Sequence, residues 1–216
     1  MAALISNIGG TIIMSLFLFQ SDVRKKAKKL LELIKKKQFA LWQLLGGVAG
    51  AVYISTASST VSVIGTGLFT VVLVASQNVS GILVDKFGFS SGKRKKITSK
   101  RLFAMLIGTF AVILTVSEFE GEILWIPIIA VVFAGLAVTL QFTLNARVTK
   151  YSNSQVSAFI NFPMSMLAVT LTLIVMNLFG KNWNNWPDQW WLYSAGFLGA
   201  IVVYRSEEHT SELQSH

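Results

Sequence analysis

Read along the chain, apolar positions do not alternate with polar ones but gather in long runs, separated by short polar or basic stretches. The runs extend from Ala2 to Phe19, Phe39 to Ala57, Val61 to Val84, Leu102 to Ser117, Ile123 to Leu144 and Val156 to Phe179; a seventh begins at Trp190 and stops at Tyr204. A helix needs about 20 residues to cross a hydrocarbon core of about 30 Å. Lipid offers no water to unpaired backbone groups, so runs of this length must be helices unless they alternate as barrel strands do. The pattern predicts an all-α, polytopic helical membrane protein with about seven transmembrane helices.

Composition agrees. The hydrophobic set makes up 53% of the chain and charged residues only 13%, about half the charge of a soluble domain. A net charge of +9 would suggest nucleic acid in a soluble protein. Here the cations lie in clusters between apolar runs, so the lipid bilayer is the expected partner and nucleic acid is not. The connecting stretches carry eight Lys/Arg (Arg24 to Lys37), none (Ser58 to Thr60), seven (Lys86 to Arg101), none (Glu118 to Glu122), two (Arg147, Lys150) and one (Lys181). Rich and poor stretches alternate strictly, 17 on one side against 1 on the other. Lys/Arg excess marks the cytoplasmic face, which places Met1 outside. The first basic stretch, RKKAKKLLELIKKK, reads as a short amphipathic helix lying on anionic lipid.

Some chemistry is absent from the chain. It has no Cys, and its two His are His209 and His216. Cys or His nucleophiles, disulfides and zinc sites of the usual kind are excluded, and no metal or cofactor is expected. No phosphate-binding glycine loop followed by Lys and Ser/Thr occurs, so ATP is not the expected energy source. The final polar run, RSEEHTSELQSH from Arg205, resembles the translation of a sequencing-library adapter and is set aside as a non-native tail, 205–216.

The chain contains a weak internal repeat. AALISNIGGTIIMSLFLF from Ala2 lies on SAFINFPMSMLAVTLTLI from Ser157, pairing Ala3 with Ala158, Ile5 with Ile160 and Ser6 with Asn161. WQLLGGVAGA from Trp42 lies on WLYSAGFLGA from Trp191, pairing Gly47 with Gly196 and Gly50 with Gly199. By the charge count the first segment runs inward and its mate outward, so the copies are inverted, as in many secondary transporters. Five helices separate matched positions, which implies a five-plus-five repeat. Residues 1–117 form the first copy without its first helix, and 118–204 an incomplete second copy.

Through WQLLGGVAGAVYI, FTVVLVASQNVSGILVDKFGF, TSKRLFAMLIGTFAVIL and LQFTLNARV, the chain resembles the YdcZ-type family of bacterial inner-membrane proteins, part of the drug/metabolite transporter superfamily. The resemblance covers residues 2 to 204. It implies a bacterial inner-membrane transporter of small organic solutes or metabolites, truncated at both ends relative to the family.

Polar side chains inside a span are the default site candidates, because they cost free energy unless they face partners or a cavity. Gln77 and Asn78 in the third run and Asn161 in the sixth are the candidate solute-binding residues. Gln77 occupies the position that looks most like the family's motif Gln; an interhelical hydrogen bond is its alternative role. Asp85, beside Lys86, reads as an interfacial charge pair or a coupling-ion ligand. Pro163 can open or kink its helix. Gly46 and Gly50, with Gly196 and Gly199 in the second copy, have the spacing of close helix packing. No catalytic residue stands out. The leading reading is a secondary transporter; a non-catalytic membrane scaffold and a membrane-embedded lipid enzyme are the alternatives. Homo-oligomerisation is left open.

Overall fold

The structure, a computed structural model, describes residues 2–89, 98–117, 124–180, 196 and 199. All regular structure among them is helical: α1 (Ala2–Phe17), α2 (Ser21–Lys35), a 3-10 turn (Leu41–Leu45), α3 (Gly46–Phe87), α4 (Ser99–Ser117), α5 (Trp125–Tyr151) and α6 (Ser154–Leu178). Six of the seven apolar runs are accounted for; the seventh, the acidic stretch Glu118 to Glu122 and the tail lie outside the described residues, apart from Gly196 and Gly199.

Three described helical stretches are long and apolar enough to cross a membrane: Leu41–Phe87, Trp125–Tyr151 and Ser154–Leu178. The shorter α1 and α4 are apolar too, and α4 leaves Phe103 and Phe110 more than 60% exposed. Such a surface would be an aggregation patch in water. Facing hydrocarbon it costs nothing.

The turn expected at Ser58 to Thr60 is not there. Those residues are helical, and their hydroxyls are satisfied within the helix by donating back to the carbonyls of Ile54, Ser55 and Thr56 at 2.7 to 3.0 Å. The break falls instead at Gly65, with φ 77° and ψ 158°, a conformation essentially confined to glycine. A straight 47-residue span would be roughly 70 Å long, more than twice the hydrocarbon thickness. Residues 46–64 and 66–87 span roughly 29 and 33 Å, each close to one crossing.

Between α1 and α2 the chain bends by 106°. Val23 and Leu30, seven residues apart on α2, are buried with Val148 of α5 and Val156 of α6. Arg24, Lys25, Lys28, Lys29 and Lys35 remain exposed. The apolar stripe of α2 thus packs on the protein, and its cations are turned outward. Asn153 caps α6, its side chain accepting from the Val156 N–H at 3.0 Å, and the helix continues through Pro163 to Leu178.

Two compact units emerge from the packing: Met1–Ala51 with Gln141–His216, and Val52–Leu140. The first draws on both halves of the sequence repeat. In it α1 packs along α6, with Met14, Ala158 and Phe162 as a small core, and Gly10 lies under the Phe162 ring, where a Cβ would overlap it. The second is built on Ile64, Leu68, Phe69, Val72 and Leu73 of α3 against Val131 and Ala134 of α5.

Candidate functional site

In the first unit, the start of α3 places three glycines against two helices. Gly46 and Gly50 face Gln141 and Asn145 of α5: a Cβ on Gly50 would stand 2.6 Å from Gln141 Nε2, and one on Gly46 would overlap Asn145 Oδ1. Both pairs are four residues apart, so one pair of gaps receives one pair of amides. Gln141 Nε2 and Asn145 Nδ2 donate to the same acceptor, Asn161 Oδ1, at 3.2 and 3.1 Å, and Ser157 Oγ donates to the Asn145 carbonyl at 3.1 Å. All three amides are buried. Asn161 is therefore the hub of an α5–α6 hydrogen-bond cluster for which the glycines of α3 make room. Beyond it, the Arg147 guanidinium lies 5.4 Å over the Trp42 ring, a cation–π contact at the end of the span.

Gly47 faces the other way, onto α6. A Cβ there would stand 2.7 Å from Met164 Cβ and from Ser165 N, and closer still to the Asn161 carbonyl oxygen. Gly196 makes the corresponding approach to α1. Its Cβ would stand 2.5 Å from the Ser6 carbonyl oxygen, 3.1 Å from Gly9 Cα and 3.2 Å from Gly10 N. A Cβ on Gly199 would be in ordinary contact with Ser6 Oγ, at 3.8 Å.

Gln77 and Asn78 lie in the second unit. Gly135 of α5 packs directly on the α3 backbone beside them; a Cβ there would stand 3.0 Å from the Leu73 carbonyl oxygen and 3.2 Å from Gln77 N. Thr139 Oγ1 donates to the Gly135 carbonyl at 3.0 Å and reaches that of Gln77 at 3.5 Å. Held there, Gln77 and Asn78 line a cavity of about 220 Å³ with Gly81, Ile82, Asp85 and Ala104. Two amides and a carboxylate are thus among its lining residues.

The three candidate solute-binding residues thus divide: Gln77 and Asn78 share one cavity, and Asn161 belongs to the buried amide cluster of the other unit. The sequence pattern assigns no role to Gln141 or Asn145, and it marks Gly47 only as the repeat partner of Gly196. A usable signal existed, since Gln141-xxx-Asn145 repeats the spacing of Gly46-xxx-Gly50.

A family model described as "Putative inner membrane exporter, YdcZ" matches residues 1–114 and 126–212. The chain belongs to the YdcZ family. It is accordingly a multi-pass inner-membrane protein of the drug/metabolite transporter type, and its family is one of exporters rather than enzymes. No curated protein and no solved structure matches it. Two stretches of this YdcZ-family chain match the model, and the second begins at residue 126, next to the start of α5 at Trp125.

Proposed function

We propose that the protein is a secondary transporter that moves small organic solutes by rocking one inverted repeat against the other. One observation carries this reading. Under the sequence repeat, Ser6, Gly9 and Gly10 are the counterparts of Asn161, Met164 and Ser165, and Gly47 is the counterpart of Gly196. The three nearest neighbours of a Cβ at Gly47 are those of α6, and the three nearest at Gly196 are their counterparts in α1. Each copy's glycine seats on the other copy's matched helix, residue for residue. A pseudo-two-fold relation between the copies produces such reciprocity; packing of unrelated helices has no reason to. The separate match of the family model to each half of the chain supports the same reading.

Gln77 and Asn78 are the residues assigned to the solute. Asn161, whose amide oxygen already accepts two hydrogen bonds, is assigned to holding α5 on α6. The test is solute uptake into everted membrane vesicles across a broad panel. Flux that follows an imposed ion or proton gradient, and that falls in Gln77→Leu while the protein remains folded and inserted, is the expected result. A folded, inserted protein that moves no member of the panel under any gradient would overturn the reading in favour of a scaffold.

A further inference from the structure

Three lines of side chains run along α2, each one residue on from the last and so about 100° further round the helix. Val23, Ala27, Leu30 and Ile34 form the first, and it packs on Phe39, Val148 and Val156. Arg24, Lys28, Leu31 and Lys35 form the second, and all four are exposed. Lys25, Lys29, Glu32 and Lys36 form the third, also exposed, on the side turned away from the protein. We propose that the second line is a binding surface for the headgroups of anionic phospholipids, with Arg24, Lys28 and Lys35 on the phosphates and Leu31 on the acyl chains just beneath them. This holds whether or not the protein transports a solute.

An amphipathic helix on a bilayer ordinarily buries its apolar stripe in lipid. That of α2 is already occupied by the protein, so α2 meets lipid only by a flank, and two observations select the second line. It starts where the lipid-facing side of α1 ends. There α1 exposes Ile8, Ile12 and Leu16 and, just past its last turn, Phe19, while Met14 packs on α6. Arg24 Nη2 reaches back to the Phe19 carbonyl oxygen at 3.5 Å, and α2 leaves at 106° to α1, so it runs along the bilayer surface rather than into it. The second observation is Leu31, which is 56% exposed between Lys28 and Lys35. At the boundary of headgroups and acyl chains a leucine meets hydrocarbon while lysine stems carry their charges up to the phosphates. In the third line the corresponding place is held by Glu32, which suits water. Asp22 is engaged by Lys26 at 2.9 Å, and no acid among the described residues pairs with Arg24, Lys28 or Lys35. Their charge is available to phosphate. A nucleic acid would meet the same cations but leave Leu31 in water.

Because the chain has no cysteine, Leu31→Cys carries a single bimane label. The full chain bearing it is reconstituted in mixed vesicles of phosphatidylcholine and phosphatidylglycerol, with one or the other lipid brominated near the top of its acyl chains. Both brominated lipids are expected to quench the label, phosphatidylglycerol about fivefold more effectively at equal fraction, as one cation near an anionic surface provides. This preference should shrink in about 1 M salt, where the screening length falls to about 3 Å. Arg24→Gln/Lys28→Gln/Lys35→Gln, added to the labelled chain, should abolish it. Lys25→Gln/Lys29→Gln/Lys36→Gln removes as much charge from the third line and should leave it largely intact. A label that neither lipid quenches, or that both quench equally, would overturn the proposal on the Leu31→Cys chain alone, whatever the triple variants do. Equal loss of the preference in the two triple variants would overturn it too, since net charge rather than this line would then be at work. An unquenched label that becomes shielded by an added oligonucleotide would assign the face to nucleic acid instead.

Discussion

Substituting Gly47 by alanine separates a true close approach from a merely conserved-looking spacing. The added methyl meets the Asn161 carbonyl oxygen, Met164 Cβ and Ser165 N, the last two at 2.7 Å. Two are backbone atoms and the third is a Cβ fixed directly to the backbone, so none can swing aside. Ordinary contact lies near 3.5 Å, and α3 must therefore withdraw from α6 by most of an ångström. Overpacking of this kind costs about 1–3 kcal/mol, against a helix-propensity gain of about 0.8–1 kcal/mol for replacing glycine. With three fixed atoms inside 3.0 Å the cost falls in the upper part of that range, about 2–3 kcal/mol, and a net loss of about 1–2 kcal/mol follows. Gly50→Ala has a different opponent: the far end of Gln141, with Nε2 at 2.6 Å, which can turn away at the expense of its bond to Asn161. An interhelical hydrogen bond in a membrane averages about 0.6 kcal/mol, so this substitution should be nearly neutral. Unfolding in mixed micelles by added SDS, followed by tryptophan fluorescence, reads the difference. Gly47→Ala as stable as wild type, or less harmful than Gly50→Ala, would refute the packing described for α3.

Gly196→Ala should reproduce the Gly47→Ala loss to within about 1 kcal/mol in the same unfolding assay, because its methyl meets the Ser6 carbonyl oxygen, Gly9 Cα and Gly10 N and backbone atoms cannot yield. Gly65→Ala and Gly67→Ala both add a methyl to open space, yet the first should cost about 1–3 kcal/mol for its glycine-only backbone and the second should gain up to about 1 kcal/mol. Asn161→Leu leaves the Gln141 and Asn145 amides without their shared acceptor and should cost about 1–3 kcal/mol. Adding Gln141→Leu should then recover part of that loss, and a double-mutant cycle of unfolding free energies measures how much.

The apolar runs were legible because hydrocarbon imposes its thickness directly on sequence, and six of them became helices with ends displaced by a few residues. The end of α5 moved by seven residues, from Leu144 to Tyr151, since Asn145, Arg147 and Lys150 mark the end of the apolar run rather than of the hydrogen-bond ladder. Polarity misplaced the turn in α3 for a related reason. Ser58, Ser59 and Thr60 look like a loop, but hydroxyls can bond within their own helix, whereas a φ of 77° selects Gly65. At the site, Gln77 and Asn78 stood out as polar groups in an apolar run, and the structure places both on a cavity. Asn161 stood out equally, but which amide a given amide meets depends on helix rotation. No single-helix pattern encodes that. Gly47, matched to Gly196 in the repeat, falls outside the packing pattern of Gly46 and Gly50 because the four-residue spacing marks one face of the helix, and Gly47 serves another.

Opposite insertion of α1 and α6 is the central claim, and the natural absence of cysteine makes it directly measurable. Lys29→Cys and Lys181→Cys, introduced singly, are exposed to a membrane-impermeant maleimide in intact cells and in everted vesicles. Labelling of Lys181→Cys in intact cells, and of Lys29→Cys only after eversion, is the predicted result. Both positions reacting from one side would contradict the account.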